Sequence, residues 1–290
     1  MVRRFRRAAL AAAVAAGVAG AVAWASGDGA RAPGAGVVVE RAYRSHALGG
    51  MAPFEIYLPP RYETSSERFP VIYFLHGLPA PPYAFRDIAA VVRALRRDGR
   101  RAILVAPRGA RDGDSDPEYL DWGRGRNWQT AIGHELPRYV DAHFRTIRSR
   151  RARALVGISA GGYGAVLLAL HHLRSFSVIE SWSGYFHPTD PSGTRPLDVG
   201  SPRSNRRASA HSFVHTLRGS FARRPTFFAF YVGRGDDRFR DENERLDREL
   251  DAAGVPHLFR LYPGAHARTL WNAHATRWLA LALDHLERPR

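Results

Sequence analysis

Short runs rich in β-branched and aromatic residues alternate with helix-spaced segments along this chain, and that alternation constrains the fold more than any other feature. "GVVVERAYRS" and "MAPFEIYLPP" read as two early strands joined by a turn at Gly49-Gly50. "PVIYFLHG" and "RAILVAPRG" have the apolar density of buried strands. Between them, residues 84–97 set Ile88, Val91, Val92 and Leu95 at helical spacing and end at Asp98-Gly99. "NWQTAIGHELPRYVDAHF" is a second helical pattern, interrupted at Pro137. "RARALVGI" is a strand, and "AGGYGAVLLALHHL" is the helix that leaves it. "FSVIESWSG" and "TFFAFYVG" are further strands, separated by a polar segment, residues 187–224, without an assignable pattern. "DENERLDRELDAAG", "PHLFRLYPG" and "TLWNAHATRWLALALDHL" close the chain as helix, strand and helix. Strands alternating with helices at this spacing predict an α/β fold, a mostly parallel sheet covered on both faces, over residues 37–290.

The start of the chain reads differently. "MVRRFRRAALAAAVAAGVAGAVAWASGDGA" has a basic opening, an apolar stretch from Ala8 to Ala25, and Ala23-Trp24-Ala25 as a small-x-small cleavage site. Residues 1–25 are therefore read as an export signal or a retained N-terminal membrane anchor. Marginal, alanine-based hydrophobicity favours cleavage. Residues 26–36 are a Gly/Ala/Pro-rich linker. The expected location is secreted or attached to the cell envelope.

All 43 basic residues are arginine, set against 27 acidic ones, a net charge of +16. Without Arg3, Arg4, Arg6 and Arg7 the remainder still carries 39 basic against 27 acidic residues, or +12. Such a balance suits anionic surfaces, an acidic envelope polymer among them. GC-rich coding, which inflates arginine and alanine together, explains it as well. No nucleic-acid motif accompanies the arginines, so no nucleic-acid partner is expected. The absence of cysteine excludes disulfides, thiolate metal sites, a cysteine nucleophile and a lipidated cysteine.

One motif carries chemistry. Gly157-Ile158-Ser159-Ala160-Gly161 is G-x-S-x-G between an expected strand and an expected helix. A serine raised on so sharp a turn sits in strained backbone, and side chains two residues away would collide across it. Glycine at 157 and 161 removes the collision. The following helix opens with Gly161, Gly162 and Gly164, against propensity by about 1 kcal/mol each. A purely structural tight turn would use the same glycines. A nucleophilic serine needs a base. His257 lies in a strand pattern and His274 and His285 lie in the closing helix. His266, in "LYPGAHARTL", is in a loop after a strand. For the acid, "FYVGRGDDRF" ends a strand and offers Asp236 and Asp237; position does not separate them, and either could instead cap the next helix. Oxyanion donors are expected from the N–H of Ala160 and, with Gly77 turning the backbone, from that of Leu78. His76 is given no proton transfer.

With these residues placed, the chain resembles the putative-esterase (esterase D-like) branch of the α/β-hydrolases, which includes the mycolyltransferases. The matching pieces are "VIYFLHGL", "HELPRYVDAHF", "GISAGGYGA", "YVGRGDD" and "AAGVPHLFRLYPGAH". The resemblance implies an α/β-hydrolase fold and favours Asp236, three residues after Gly233, as the acid. It implies hydrolysis of a carboxylic ester (lipid, sugar or cell-wall ester) through an acyl-serine, with no metal and no cofactor. Two other readings stand beside it: transfer of the acyl chain to a sugar hydroxyl, and a non-catalytic surface-binding protein on a hydrolase fold. His76 departs from the aspartate usual before that glycine in the mycolyltransferase branch. Segment 187–224 sits where such folds carry a cap over the pocket.

Two further features are read as structural. Asp112, Asp114, Asp116, Glu118 and Asp121 lack the glycine and final glutamate of a calcium loop and are expected to be solvated. Trp122 and Trp128 could stack on a sugar or an acyl chain but are expected in the core.

Overall fold

The computed structural model describes residues 36–77, 88–109, 118–189 and 195–290. The expected export signal (1–25) and nearly all of the linker lie outside the described residues, as do Leu78, Asp112, Asp114 and Asp116. No described helix is long and apolar enough to cross a membrane.

Among the described residues the strands are β1 (Val37–Ser45), β2 (Gly50–Leu58), β3 (Val71–Leu75), β4 (Ile103–Pro107), β5 (Arg153–Ile158), β6 (Val178–Trp182), β7 (Phe227–Gly233) and β8 (Leu258–Tyr262). They form one sheet in the order β1-β2-β4-β3-β5-β6-β7-β8. β1, β2 and β4 pair antiparallel, and every pairing from β4 through β3 to β8 is parallel. The parallel strands need both faces covered, which is why β3, β4 and β6 are buried at every residue.

Alternate side chains divide between two cores. Tyr73, Leu75, Val105, Leu155 and Ile179 meet α3 (Leu136–His143), α4 (Ala160–His171), α6 (Val214–Arg223) and α7 (Arg240–Ala252) on one face. Ile72, Phe74, Leu104, Val156 and Val178 meet α1 (Ile88–Asp98) and α8 (Arg268–Asp284) on the other. Trp128 is in the first of these cores, and Trp122 packs partly buried against it. α4 is buried from Ala160 to Leu170, consistent with a helix apolar all round.

Three expectations need correction. Pro137 does not interrupt its helix: α2 (Trp128–Thr130) runs through a π-turn, Ala131–Glu135, into α3, and Pro137 lies in the first turn of α3. The wider turn absorbs the missing proline N–H. The described residues of segment 187–224 include α5 (Pro202–Ala208), a 3-10 turn at Ala210–Phe213 and α6. Ser201 caps α5 by accepting from the Ser204 N–H at 3.1 Å. Glu118 is not solvated but 1% exposed, because Tyr185, 67 residues away, donates its hydroxyl to it at 2.7 Å.

The junction of β5 and α4 is the tightest point of the sheet. A Cβ at Gly157 would overlap the Gly161 carbonyl, and a Cβ at Gly161 would overlap the Leu75 backbone and reach the His76 carbonyl oxygen at 2.6 Å. At both positions the obstruction is backbone, which cannot rotate away.

Two predictions follow from this packing. Gly161→Ala should lower unfolding stability by about 1–3 kcal/mol or more, whereas Gly50→Ala, where a Cβ would meet nothing within 4 Å, should stay within about 0.5 kcal/mol. Equal denaturation midpoints for the two variants would contradict the contact. The second concerns Glu180, fully buried on β6, whose carboxyl burial pushes up to about 8 although Trp182 and Tyr231 donate to it. The folded protein thus holds a proton that the unfolded chain sheds above an ordinary value near 4.5. That contribution to stability is complete below this value and is lost as pH rises through about 8. Glu180→Gln should therefore lose less thermal stability than the wild type between pH 5 and pH 9. Parallel melting profiles would refute the burial argument.

Candidate active site

Ser159 stands alone between β5 and α4 with φ 55° and ψ −122°, a left-handed conformation that a non-glycine residue adopts only under constraint. Two backbone hydrogen bonds hold it there: its N–H donates to the Trp182 carbonyl at 2.9 Å, and its carbonyl accepts from the Tyr163 N–H at 3.0 Å. The conformation costs on the order of 1–3 kcal/mol. It lifts the hydroxyl off the end of the sheet, where the residue is 9% exposed.

The acid and the imidazole arrive on two loops that hydrogen-bond to one another. The Arg234 N–H donates to the Tyr262 carbonyl at 2.8 Å, and the Gly235 N–H donates to the Gly264 carbonyl at 2.9 Å. Gly233 and Gly264 are the enabling residues. A Cβ at Gly233 would overlap the Gly264 carbonyl, and Gly264 itself takes φ 130°. Beyond this contact the loop after β7 turns at Asp236 and the loop after β8 turns at His266.

Ser159, His266 and Asp236 come together in one hydrogen-bonded line. His266 Nε2 lies 3.1 Å from Ser159 Oγ, and His266 Nδ1 lies 2.8 Å from Asp236 Oδ2. Asp236 is completely buried, and its other oxygen accepts from the Phe239 N–H at 3.2 Å. One aspartate thus holds the ring and caps the approach to α7, and Asp237 is exposed. His257, His274 and His285 lie elsewhere, packed against Phe230, Tyr262 and Phe227 respectively.

Ring contacts fix the plane of His266. Phe239 and Trp271 meet it edge-on, with centroids at 5.1 and 5.2 Å. Trp271 is itself anchored by donating its indole N–H to Ser183 Oγ at 3.0 Å. Neither aromatic was marked by the sequence. The signal available was spacing, since Phe239 lies three residues after Asp236 and Trp271 five after His266.

The third part of the site is the turn after β3. His76 accepts from the Gly109 N–H at Nε2 (2.8 Å), which leaves its proton on Nδ1 to be donated to the Gly77 carbonyl at 2.7 Å. The Tyr119 hydroxyl donates to the His76 carbonyl at 2.6 Å. His76 is therefore a buried brace for this turn. A Cβ at Gly77 would come 3.2 Å from Ser159 Cβ, so the turn lies directly against the serine. Leu78, the next residue, is outside the described residues. Ala160 opens α4, and its N–H is one of the first-turn donors that have no intrahelical acceptor.

Beside this turn, Glu118 sits among Tyr119, Tyr163 and Tyr185, and burial pushes its carboxyl up to about 8. The three phenols are pushed well above their ordinary value, by burial first and by the Glu118 charge second. No side chain of this cluster reaches the side chains of Ser159, His266 or Asp236 by a described hydrogen bond; the one link is the Tyr163 backbone N–H to the Ser159 carbonyl. It is the packing on which the His76 turn rests.

The chain is similar to known esterases and hydrolases. An esterase of Mycobacterium tuberculosis is 31% identical over 143 residues, covering 49% of this chain and 31% of that protein. The chain thus spans only about a third of the length of that relative. An S-formylglutathione hydrolase of Arabidopsis thaliana is 23% identical over 237 residues, 76% of this chain and 83% of that one. Among solved structures, a ferulic acid esterase superposes with a TM-score of 0.74 at 23% identity, covering 87% of this chain and 99% of that one. The S-formylglutathione hydrolase from Agrobacterium tumefaciens gives 0.70 at 21% identity, covering 89% and 98%. These likenesses establish the α/β-hydrolase fold. The family model described as Putative esterase matches residues 45–280, and the chain belongs to that family.

Proposed function

We propose that this chain is an exported serine esterase that cleaves carboxylic esters through an acyl-serine intermediate. The observation that carries the reading is the line Asp236–His266–Ser159, with contacts of 2.8 and 3.1 Å, ending on a serine in left-handed backbone.

The chemistry follows atom by atom. Ser159 Oγ attacks the ester carbonyl carbon while His266 Nε2 takes the hydroxyl proton. Asp236, fully buried, accepts a hydrogen bond from the Nδ1–H, which holds the productive tautomer and stabilises the imidazolium that forms. The negative oxygen of the tetrahedral intermediate meets the N–H of Ala160, and the sequence assigns the second donor to Leu78. One such donor is worth about 10²–10³ in rate. Collapse breaks the bond to the alcohol, which leaves with the proton from His266. Water then adds to the acyl-serine by the same relay and releases the acid. Export rests on residues 1–25, with their basic start, apolar stretch and Ala23-Trp24-Ala25 site.

The test is turnover of p-nitrophenyl acetate by the purified full chain. The wild type should release nitrophenol, and Ser159→Ala should lower kcat by about 10⁶. Asp236→Asn should keep the fold and lower kcat by about 10⁴, because the amide stabilises the wrong ring tautomer. Asp237→Asn should change little. A Ser159→Ala protein as active as the wild type would end the proposal.

A further inference from the structure

Apart from the serine site, a second cluster of ligating side chains joins three separate pieces of chain. His187 follows β6, His211 lies in the 3-10 turn Ala210–Phe213, and Glu242 is in the first turn of α7. Their ligating atoms all lie within 4.8 Å of one another. His187 Nδ1 and His211 Nε2 both approach the same oxygen, Glu242 Oε1, at 2.6 and 2.8 Å. We propose that His187, His211 and Glu242 bind one zinc ion that fastens the 187–224 segment to α7.

Four observations support this site. Two imidazole nitrogens and one carboxylate oxygen are one of the donor sets in which zinc keeps an open fourth position. A tetrahedral zinc at about 2.0–2.1 Å from each donor separates ligand atoms by about 3.3 Å, so from 2.6 and 2.8 Å the two nitrogens withdraw from Glu242 Oε1 by about 0.5–0.7 Å. The back of the His211 ring is already held as metal-bound imidazoles are held, with Nδ1 2.5 Å from Glu249 Oε2, one carboxylate beyond the ligands. Glu242 and Glu249 are seven residues apart on α7, two turns along one face. Access exists as well: the His187 side chain is 32% exposed while that of His211 is only 10% exposed, leaving an open side for a water as fourth ligand.

Both nitrogens of His211 face carboxylates, Glu249 at Nδ1 and Glu242 at Nε2. On loading, two N–H bonds are exchanged for two Zn–N bonds: the His211 Nε2 proton passes to solvent, the His187 proton moves from Nδ1 to Nε2, and His211 keeps the Nδ1 proton it donates to Glu249. None of the ligands belongs to the serine line, so the ion takes no part in acyl chemistry. It departs from the expectation, drawn from family resemblance, that the chain holds no metal. Its effect is structural. α7 begins four residues after Asp236, and Asn243 beside Glu242 donates to the Gly184 carbonyl at 2.7 Å. Zinc would add a second link between α7 and the chain that follows β6.

The experiment loads the full chain with zinc chloride, removes free metal by desalting, and counts zinc by mass spectrometry alongside equilibrium titration and thermal melting. One zinc per chain should remain, and zinc should raise the melting temperature by several degrees. His187→Ala, at the exposed edge where folding is not at stake, should lose at least tenfold in affinity and most of the thermal shift. Glu249→Gln leaves all three ligands in place and should weaken binding about 10–100-fold. Zinc well below one per chain overturns the proposal, as does unchanged affinity in both variants, which would mark adventitious binding at other histidines.

Discussion

The backbone contact between the β5–α4 junction and the end of β3 is the constraint on which the rest of the site depends. Gly157, Gly161 and Leu75 touch carbonyl to Cα, with no room for a methyl group. That closeness allows the chain to reverse within one residue and forces Ser159 into a conformation it would otherwise avoid. Because the Trp182 carbonyl and the Tyr163 N–H fix the serine from both sides, the strain is held by the sheet and not relaxed by local motion. On the proposed function, a serine displayed in this way need not be reorganised when the reaction begins.

The partners of the serine are placed by the same principle at the next pair of strands. Gly235 and Gly264 join the two loops by backbone hydrogen bonding, so the Asp236–His266 distance is set by a local extension of the β7–β8 pairing. Phe239 and Trp271 then restrict the imidazole plane without competing for its nitrogens. The relay is consequently rigid at each joint: strand to glycine, glycine to carboxylate, carboxylate to ring. The polar groups nearby, Glu118 and His76, serve packing and backbone satisfaction instead.

Much of this was legible in the sequence, and what was not has physical causes. The buried parallel strands announce themselves because they are apolar on both faces, and the G-x-S-x-G glycines announce a close approach because nothing else tolerates it. His266 was identifiable as a loop histidine after a strand; position left Asp236 and Asp237 equivalent, the family resemblance favoured Asp236, and Asp236 is the buried one of the two. α5 carries almost no apolar pattern, Ala208 being its one buried residue, so periodicity could not reveal it. Glu118 sits in an acidic run that reads as solvated, and the tyrosine that makes its burial tolerable is 67 residues away. The π-turn before Pro137 is a response to a missing donor that sequence spacing registers only as an interruption.

The central claim is that Ser159 is the group made nucleophilic by this arrangement. The most direct measurement is to treat the folded protein with a fluorophosphonate, digest it, and locate the phosphonyl mass. The account predicts a single modified peptide with the added mass on Ser159, lost in Ser159→Ala and formed far more slowly in His266→Ala. Mass on another residue, or equal labelling after the serine is replaced, would contradict it.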